Sequence, residues 1–307
     1  MNQLHRLWEI LVMQGPRIAW LKLINRLRRV NYNRLFRNSL HQQAQAPVLR
    51  AQILKAAALG QGPLISLVVP LFNTDPQHLA EMIASVRHQN YPRWQLCLAD
   101  GSDAAHLAVG EAARAEAAQD PRISYLKLPE NLGISGNTNA ALDLATGDYI
   151  GLLDHDDLLA PDALAEVAVV IHRQEADLIY SDELNFVGQP DHVQLIHYKP
   201  DFAPDNLRSN NYICHFTVFA KALADQIGHF DSACDGSQDY DYILRLSEQA
   251  KKIVHIPKVL YYWRIHSQSV ASNISVKPYC LDAALLALQN HLQRQGLPGS
   301  VENNKIG

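Results

Sequence analysis

Short apolar runs alternate with helix-forming stretches from residue 64 to residue 153, and this alternation restricts the fold more than any other feature of the chain. The run 64–69 is continuous and mostly β-branched, as expected for a strand buried on both faces of a sheet. Further strands are predicted over 94–99, 123–128 and 149–153, and helices over 75–89, 104–118 and 134–145. Strands and helices that alternate at this spacing form βαβ units. The sequence therefore predicts an α/β fold whose central sheet is mostly parallel and flanked by helices.

The second half of the chain is less regular. Strand patterns cover 177–180, 213–220 and 252–263, and helix patterns cover 161–174, 239–249 and 280–295. Residues 185–211 carry few periodic signals, and we expect a long, partly functional loop there. Hydrophobic residues make up 48% of the 307 residues, which is enough for one large core. We divide the chain into a helical N-terminal extension with a linker (1–62), a main α/β domain (63–280) and a C-terminal helix with its tail (281–307).

Charge is distributed unevenly along the chain. Residues 1–60 contain ten lysines or arginines and one acid, a net charge of +9, so the other 247 residues carry −13 if the total is −4. Helical periodicity over residues 3–40 makes this extension a basic helical segment. The segment has two interpretations: residues 1–40 lie on an anionic membrane surface, or they dock on the acidic main domain or on a partner.

Neither a membrane span nor a signal peptide is predicted. No uncharged apolar run reaches the roughly 18 residues that a transmembrane helix needs. The first apolar stretch, residues 7–13, contains Glu9 and is followed by cationic sequence rather than by a small-residue cleavage site. The four cysteines are far apart and lack metal-ligand spacing, so we interpret them as ordinary thiols in a reducing compartment. We expect a cytoplasmic protein, at or near the inner face of the cytoplasmic membrane.

Polar side chains follow three of the predicted strands. In parallel α/β sheets, ligands bind beyond the carboxyl ends of the strands, and the turns there are Pro70–Asn73, Asp100–Asp103 and Asp154–Asp157. Carboxylates crowded at the end of one strand repel one another unless a cation lies among them. Mg²⁺ and Mn²⁺ prefer such oxygen ligands and bridge to phosphates. The alternative is that Asp156 or Asp157 caps the helix that follows residue 161.

A glycine-containing stretch, Asn131–Asn139, follows the third strand and begins a helix. Gly133 and Gly136 allow a ligand to approach the backbone, and the N-terminus of a helix favours phosphate. A plain turn and helix cap is the alternative. The spacing of these glycines is not that of a dinucleotide-binding fingerprint.

Together these motifs resemble glycosyltransferase family 2, whose fold is named GT-A. The resemblance covers residues 64–272. It rests on these stretches, in order: Val68–Asn73, Leu98–Ser102, Asn131 with Gly133 and Asn139, Gly147–Ile150, Leu152–Asp157, Gly236–Asp241, and Tyr262–His266 with Ser269. The resemblance implies a Rossmann-like GT-A domain over 63–280. It also implies transfer of a sugar from a nucleotide diphosphate donor, UDP- or dTDP-linked, to a hydroxyl of a glycan or lipid-linked glycan, with no nucleic-acid partner.

The resemblance also implies roles for individual residues. Asp239 matches the catalytic base, which takes the proton of the acceptor hydroxyl in a single displacement with inversion. The nucleotide-sugar pocket is assigned to Pro70, Phe72, Asn73, Asp100, Gly133, Asn139 and Asp154. A divalent metal, Mn²⁺ or Mg²⁺, is assigned to Asp154, Asp156 and His266. The acceptor or diphosphate side is assigned to Asp182, Glu183, Trp263 and Arg264.

Some positions depart from the family pattern or have a structural alternative. The family often has two consecutive acids after the second strand, but here Asp100 is followed by Gly101, and Gln238 stands where the family often has Glu before the base. Asp239 could instead cap a helix, and Trp263 could be a core residue. Two other functions stay open. One is a binding module of the same fold without turnover, and the other is a nucleotidyltransferase, although the turn after the first strand lacks the glycines and cations typical of that class.

Overall fold

A mixed sheet with helices packed on both faces forms the centre of the protein. The computed structural model describes residues 48–265 and 278–302. Its strands are β1 (Ile65–Leu71), β2 (Trp94–Asp100), β3 (Ile123–Lys127), β4 (Tyr149–Leu152), β5 (Leu158–Leu159), β6 (Leu178–Phe186), β7 (Val193–His197), β8 (Val218–Ala220) and β9 (Ile253–Arg264). Its helices are α1 (Val48–Ala58), α2 (Pro76–Arg87), α3 (Leu107–Gln119), α4 (Gly133–Asp143), α5 (Ala163–Gln174), α6 (Pro204–Leu207), α7 (Lys221–Ile227), α8 (Gln238–Gln249) and α9 (Pro278–Arg294).

The strands lie across the sheet in the order β3–β2–β1–β4–β8–β6–β9–β5, and β7 pairs with β6. Strands β1 to β4 are parallel to their neighbours among themselves, and β6 is parallel to β9. Strand β8 runs antiparallel to both β4 and β6 and so joins the two halves of the sheet. Strands β5 and β7 add further antiparallel pairs. The predicted α/β fold is confirmed, with a first half that is parallel and a second half that is mixed.

The residues of β1 show why the first half of the fold can be predicted from the sequence. All seven of its residues are buried. Successive side chains of a strand point to opposite faces, and Leu67 and Val69 enter one hydrophobic cluster while Val68 enters the cluster on the other face. In β2, Leu98 and Cys97 divide between the same two clusters. A strand covered by helices on both faces needs apolar residues at nearly every position, and Ser66, the polar residue of β1, has its hydroxyl hydrogen-bonded to Gln95.

The predicted long loop over residues 185–211 is a partial error. Within it, Val193–His197 forms β7, and Pro204–Leu207 forms a short helix. Strand β7 is held by its antiparallel pairing with Glu183–Phe186 of β6, where the register shifts between Asn185 and Phe186. This strand depends on pairing with a neighbour distant from any local signal, so its own side-chain pattern does not predict it.

A polar junction before β4 ties the segment that leads into β4 to β1 and β2. The backbone N–H of Gly147 donates to Ser66 Oγ (2.9 Å), and that of Thr146 donates to Gln95 Oε1 (2.9 Å). The carboxylate of Asp148 accepts the N–H of Leu64 (2.8 Å). A Cβ atom at Gly147 would lie 2.6 Å from the carbonyl oxygen of Leu64. The junction therefore leaves no space for a side chain at that position.

Substitution Gly147→Ala is expected to destabilise the fold by about 1–3 kcal/mol, the usual cost of forcing extra atoms into a packed site. The clash is with backbone, which cannot rotate away, so β1 and β4 must shift against each other. Urea unfolding followed by circular dichroism would measure the change. An unaltered free energy of unfolding would show that the junction is looser than described.

Helix α1 packs against α5 through a buried ion cluster. The guanidinium of Arg50 lies 3.2 Å from Asp162 and 3.5 Å from Glu166, and Lys258 lies 2.8 Å from Glu166. Burial raises the pKa of Asp162, and the charge of Arg50 opposes that effect. Residues 48–58 are thus attached to the main domain, although the sequence analysis places them in the extension. The predicted basic helices over residues 3–40 lie outside the described residues.

Helix α9 is attached to α8 in a similar way. Buried Glu248 of α8 accepts from His291 Nδ1 (2.7 Å) and from Arg294 Nε (2.8 Å). The proposed boundary at 280/281 therefore falls inside a helix that packs on the main domain, and the division into three parts stays a prediction. In the described part of the chain, no helix combines the length and apolar character that crossing a membrane would need.

Candidate active site

The loops after β1 and β2 are fastened together at the carboxyl edge of the sheet. The backbone N–H of Asn73 donates to Ser102 Oγ (2.9 Å), and its side-chain amide donates to Asp103 Oδ2 (2.9 Å). In return, the N–H of Asp103 donates to Asn73 Oδ1 (3.1 Å). Asn73 adopts a left-handed conformation (φ 49°), which asparagine tolerates better than most residues. Pro70 is buried in β1, whereas Phe72, which directly precedes Asn73, is 43% exposed.

Asp100, the last residue of β2, is fully buried. Its carboxylate accepts from the Ser102 N–H (2.8 Å) and the Tyr125 hydroxyl (2.9 Å), and it lies 3.4 Å from Lys127 Nζ. These contacts occupy a carboxylate that the sequence analysis assigned to the nucleotide. A Cβ atom at Gly101 would lie 2.7 Å from Asn137 Nδ2, so a larger residue there would require the side chain of Asn137 to shift.

The start of α4 is held by side chains from distant parts of the chain. Gly133 has a left-handed φ of 77°, and a Cβ atom there would lie 2.9 Å from Asp235 Oδ2. The Asn139 amide bonds both backbone groups of Phe230, accepting from its N–H (2.8 Å) and donating to its carbonyl (3.0 Å). Asn139 thus connects α4 to the segment that leads into α8. Its amide has the geometry of a structural tie rather than of a nucleotide contact.

The acidic loop after β4 is anchored through its last residue. Asp157 is buried and accepts from the Tyr261 hydroxyl (2.7 Å) and from the N–H of Arg264 (2.7 Å). The side chains of Asp154 and Asp156 remain accessible, at 50% and 19% exposure. Helix α5 begins at Ala163 with Asp162 as its N-cap residue, so neither Asp156 nor Asp157 caps it.

Arg264 is part of this anchor. Its guanidinium, 4% exposed, donates to the carbonyl oxygens of Asp156 (2.7 Å) and Gly188 (3.0 Å) and to Glu81 Oε2 (2.6 Å). A guanidinium engaged in three directions and buried against Phe186 is held away from a diphosphate. This geometry fits a residue that positions the acidic loop, and the assignment of Arg264 to the diphosphate side stays a prediction.

Asp154 and Asp239, 85 positions apart in the chain, meet at one dipeptide. Asp154 Oδ2 lies 3.6 Å from His215 Nε2, which lies 3.6 Å from Cys214 Sγ. The Cys214 thiol in turn donates to Asp239 Oδ2 (3.5 Å), and the Asn211 amide donates to the same oxygen (2.9 Å). Two donors on one oxygen fix the plane of the Asp239 carboxylate.

The environment of these two acids differs. Burial raises the pKa of Asp239; the charge of Asp154 adds to this, and that of His215 opposes it. Burial acts in the same direction on Asp154, but the hydrogen bond and charge of His215 outweigh it and lower the pKa of that carboxyl. Helix α8 begins at Gln238 with Ser237 as its N-cap residue, so Asp239 is not the cap. A carboxylate with a raised pKa beside one that stays ionised is an arrangement suited to a general base.

A buried charge network supports His215 from below. Glu183 Oε2 lies 3.3 Å from His215 Nδ1 and 2.9 Å from Lys199 Nζ. Burial opposes the ionised form, but these two partners lower the pKa of Glu183 to about 2. Asp182, on the opposite face of β6, accepts from His255 Nε2 and from the N–H of Lys199, both at 2.9 Å. Asp182 is thus a structural residue, and Glu183 positions His215.

Four residues that contact Asp154, Asp239 or Glu183 were not predicted from the sequence: Lys199, Asn211, Cys214 and His215. Their only signal is a Cys-His pair at the start of the predicted strand 213–220, and a lone pair of this kind has no diagnostic spacing. Trp263 is half-buried and meets the ring of His215 edge-on, with 5.1 Å between centroids. His266, the third predicted metal ligand, lies outside the described residues.

The acidic loop fits a divalent cation. One ligand atom from each of Asp154, Asp157 and His215 lies within 4.8 Å of the others. The side chains of Asp154 and Asp156 are more accessible than that of Asp157, which accepts from Tyr261 and Arg264. Burial raises the pKa of Asp157 well above its usual range, and the charges of Asp156 and Asp154 add to this effect. Carboxylate oxygens grouped in this way are the hard ligands that Mg²⁺ or Mn²⁺ prefers.

Known proteins resemble this chain in sequence. Residues 66–227, more than half of the chain, match the model of glycosyl transferase family 2. The O-antigen biosynthesis protein RfbC of Myxococcus xanthus is 38% identical over 242 residues, which are 78% of this chain and 19% of that protein. Protein y4gI of Sinorhizobium fredii (strain NBRC 101917 / NGR234) is 46% identical over 239 residues, 77% of this chain and 26% of that protein. The chain thus spans about a quarter of the length of y4gI and about a fifth of the length of RfbC.

Solved structures resemble it in fold. TarS 1-349 of S. aureus, in complex with UDP-GlcNAc, aligns with a TM-score of 0.60 at 19% identity, covering 78% of this chain and 68% of that one. The mannosyltransferase PcManGT from Pyrobaculum calidifontis, in complex with GDP-Man and Mn²⁺, aligns with a TM-score of 0.51 at 18% identity, covering 82% and 88%. These likenesses show the GT-A fold. By the family match and this fold, the chain belongs to glycosyl transferase family 2.

Proposed function

We propose that this chain is an inverting glycosyltransferase. It moves a sugar from a UDP- or dTDP-linked donor to a hydroxyl of a glycan or lipid-linked glycan. The observation that carries the proposal is the meeting of Asp154 and Asp239 at the Cys214–His215 dipeptide. In this proposal Asp154 serves the donor, and Asp239, whose pKa burial raises, serves the acceptor hydroxyl.

The proposed reaction is a single displacement at the anomeric carbon. Asp239 accepts the proton of the acceptor hydroxyl while the oxygen attacks the anomeric carbon. The bond between that carbon and the diphosphate oxygen breaks, and the nucleoside diphosphate leaves with the electron pair. Asn211 and Cys214 hold the carboxylate of Asp239 in the plane needed for this transfer. Attack from the face opposite the leaving group inverts the anomeric configuration.

On the donor side, we assign binding of the base and ribose to the rim formed by Phe72, Asn73 and Pro70, and the diphosphate to the turn at Gly133. Asp154 and Asp156 would hold Mn²⁺ or Mg²⁺, which supplies positive charge opposite the diphosphate. His266 stays a proposed third ligand. Asp100 and Asn139 keep a part in this site as residues that position the two loops, because their polar groups are bonded within the protein.

A donor screen tests the proposal directly. The protein, incubated with Mn²⁺ and a panel of UDP-, dTDP- and GDP-sugars, is expected to release nucleoside diphosphate from one class of donor, faster when glycan acceptors are present. Release of pyrophosphate would instead indicate a nucleotidyltransferase. Donor binding by calorimetry without any release would indicate a binding module of the same fold, and absence of both binding and release would refute the proposal.

The basic segment 1–40 is proposed to bring the enzyme to a membrane that carries its lipid-linked acceptor. The charge of +9 over residues 1–60 supports this, because juxtamembrane lysine and arginine each contribute about 1 kcal/mol near an anionic surface. We expect the full chain to float with anionic liposomes and a chain lacking residues 1–47 to remain in the soluble fraction. The deletion keeps Arg50 and its ion cluster. Equal flotation of both chains would contradict the membrane role.

A further inference from the structure

Three strands place side chains on one face of the sheet beside the Cys214–His215 dipeptide. In β6, Leu184 and Phe186 point to one face, so the alternate residues Glu183 and Asn185 point to the other. Cross-strand pairing aligns Glu183 with His197 and Tyr261, and Asn185 with Leu195 and Trp263. We call these six residues the β6–β7–β9 face: Glu183, Asn185 and Tyr261 are buried, His197 and Trp263 are half-buried, and Leu195 is exposed.

The β6–β7–β9 face adjoins the Cys214–His215 dipeptide. The ring of His215 stacks on Tyr261 with 4.5 Å between centroids and touches Trp263 edge-on at 5.1 Å. On its other side, His215 Nε2 approaches Asp154 at 3.6 Å. A molecule that presents a hydroxyl to Asp239 can therefore extend from His215 across Trp263 toward the hairpin of β6 and β7.

Buried polar atoms without a protein partner lie along the same path. Asn185 is 8% exposed, yet its Oδ1 atom has no hydrogen-bond partner in the described structure, and neither has Nε2 of His197. The Oδ1 atom of Asn211 also has no hydrogen-bond partner in the described structure, although the nitrogen of the same amide donates to Asp239. Burying an unpaired carbonyl oxygen costs free energy, and native proteins rarely leave one without a ligand or water. The hydrogen-bonding groups of a bound ligand would satisfy these three atoms.

We propose that the β6–β7–β9 face is a subsite for the acceptor saccharide, an inference that rests on the proposed function. Hydroxyl groups of a sugar would donate to Asn185 Oδ1 and exchange hydrogen bonds with His197 Nε2. The half-buried Trp263 and Leu195, which is 40% exposed, offer apolar surface to the C–H face of the ring. Lys199 and Glu183 neutralise each other in a buried pair, so the face selects an uncharged, hydroxyl-rich sugar.

The variant Asn185→Leu separates a ligand-binding role from a structural one. Removal of an unpaired buried carbonyl is expected to stabilise the free protein and raise Tm by about 2–4 °C. The KM for the acceptor is expected to rise about tenfold relative to the KM for the nucleotide sugar, because one hydrogen bond to the sugar is lost. Gln194→Leu is the matched control: Gln194 lies at the register shift between β6 and β7, where its amide donates to the carbonyl of His192, and this exchange should alter neither KM.

The probes are p-nitrophenyl glycosides of neutral sugars and the same sugars carried on a polyprenyl diphosphate, assayed with the donor found in the screen. Loss of affinity for both sets identifies the sugar as the recognised part, and loss for the lipid-linked set alone identifies a lipid-borne sugar. A second variant, His197→Phe, tests the same face if Asn185→Leu does not fold. A lower Tm for Asn185→Leu, wild-type acceptor KM in both variants, or no binding of any glycoside would overturn the subsite. The proposed function would still stand if nucleoside diphosphate release persisted.

Discussion

Substitution Asp239→Asn is expected to reduce the rate of sugar transfer by about 10²–10⁴-fold, the range attributed to a positioned general base. The amide has the shape of the carboxylate and can still accept from Asn211 and Cys214 through its oxygen, so the site keeps its geometry. It cannot take up the proton of the acceptor. Binding of the nucleoside diphosphate, measured by calorimetry, is expected to change little because the proposed role of Asp239 is on the acceptor side.

The pH profile gives an independent check on the same residue. Burial raises the pKa of Asp239 above its ordinary value. A base acts only when deprotonated, so kcat/KM is expected to fall as pH decreases through this raised pKa, at a higher pH than an ordinary aspartate would give. Asp225→Asn, which changes an exposed aspartate paired with Lys221 on the surface, is the matched control and should keep the wild-type profile. Transfer by Asp239→Asn at the wild-type rate would remove Asp239 from the mechanism.

Substitution Asp156→Ala is expected to weaken metal-dependent nucleotide binding by about 100-fold or more, since loss of even an outer-shell partner commonly costs 10–100-fold. The loop should keep its position, because Arg264 bonds the backbone carbonyl of Asp156 and Asp157 remains held by Tyr261. The removed group is therefore the carboxylate and little else. Titration of UDP into the protein with and without Mn²⁺ measures the effect.

The metal-free titration is the internal control for Asp156. Wild type and variant should bind UDP with similar affinity in a chelator, and only the wild type should gain affinity when Mn²⁺ is added. An equal gain in both proteins would mean that Asp156 is not a ligand. In that case Asp154, whose pKa is lowered by His215, would be the first candidate to examine by the same titration.

The sequence predicts the first half of the fold well because each element there carries its own pattern. Strand β1 is apolar at every position except Ser66 because helices cover both its faces, and that requirement is visible without knowledge of any contact. Strand β7 is different. It has two buried and three less buried residues, and its order depends on pairing with β6, which the local pattern does not encode.

For the candidate site, sequence position identified the acids but not the direction of every side chain. Asp154, Asp156 and Asp239 follow strand ends or begin a helix, so the fold itself brings them to one edge. Arg264 belongs to the same motif, but alternation along β9 places it opposite Trp263, against the anchor of the acidic loop. His215 was missed because its importance comes from contacts with Asp154 and Glu183, which are distant in the sequence.

Arg264 has a consequence for communication between the two substrates. One guanidinium joins the carbonyl of Asp156, next to the proposed cation, to the carbonyl of Gly188, in the turn that connects β6 and β7, and to Glu81 on α2. A saccharide that displaced this turn would therefore act on the same guanidinium that bonds the carbonyl of Asp156 in the acidic loop. In the proposed enzyme, binding of the acceptor would thus affect the geometry of the proposed cation site through the side chain of Arg264.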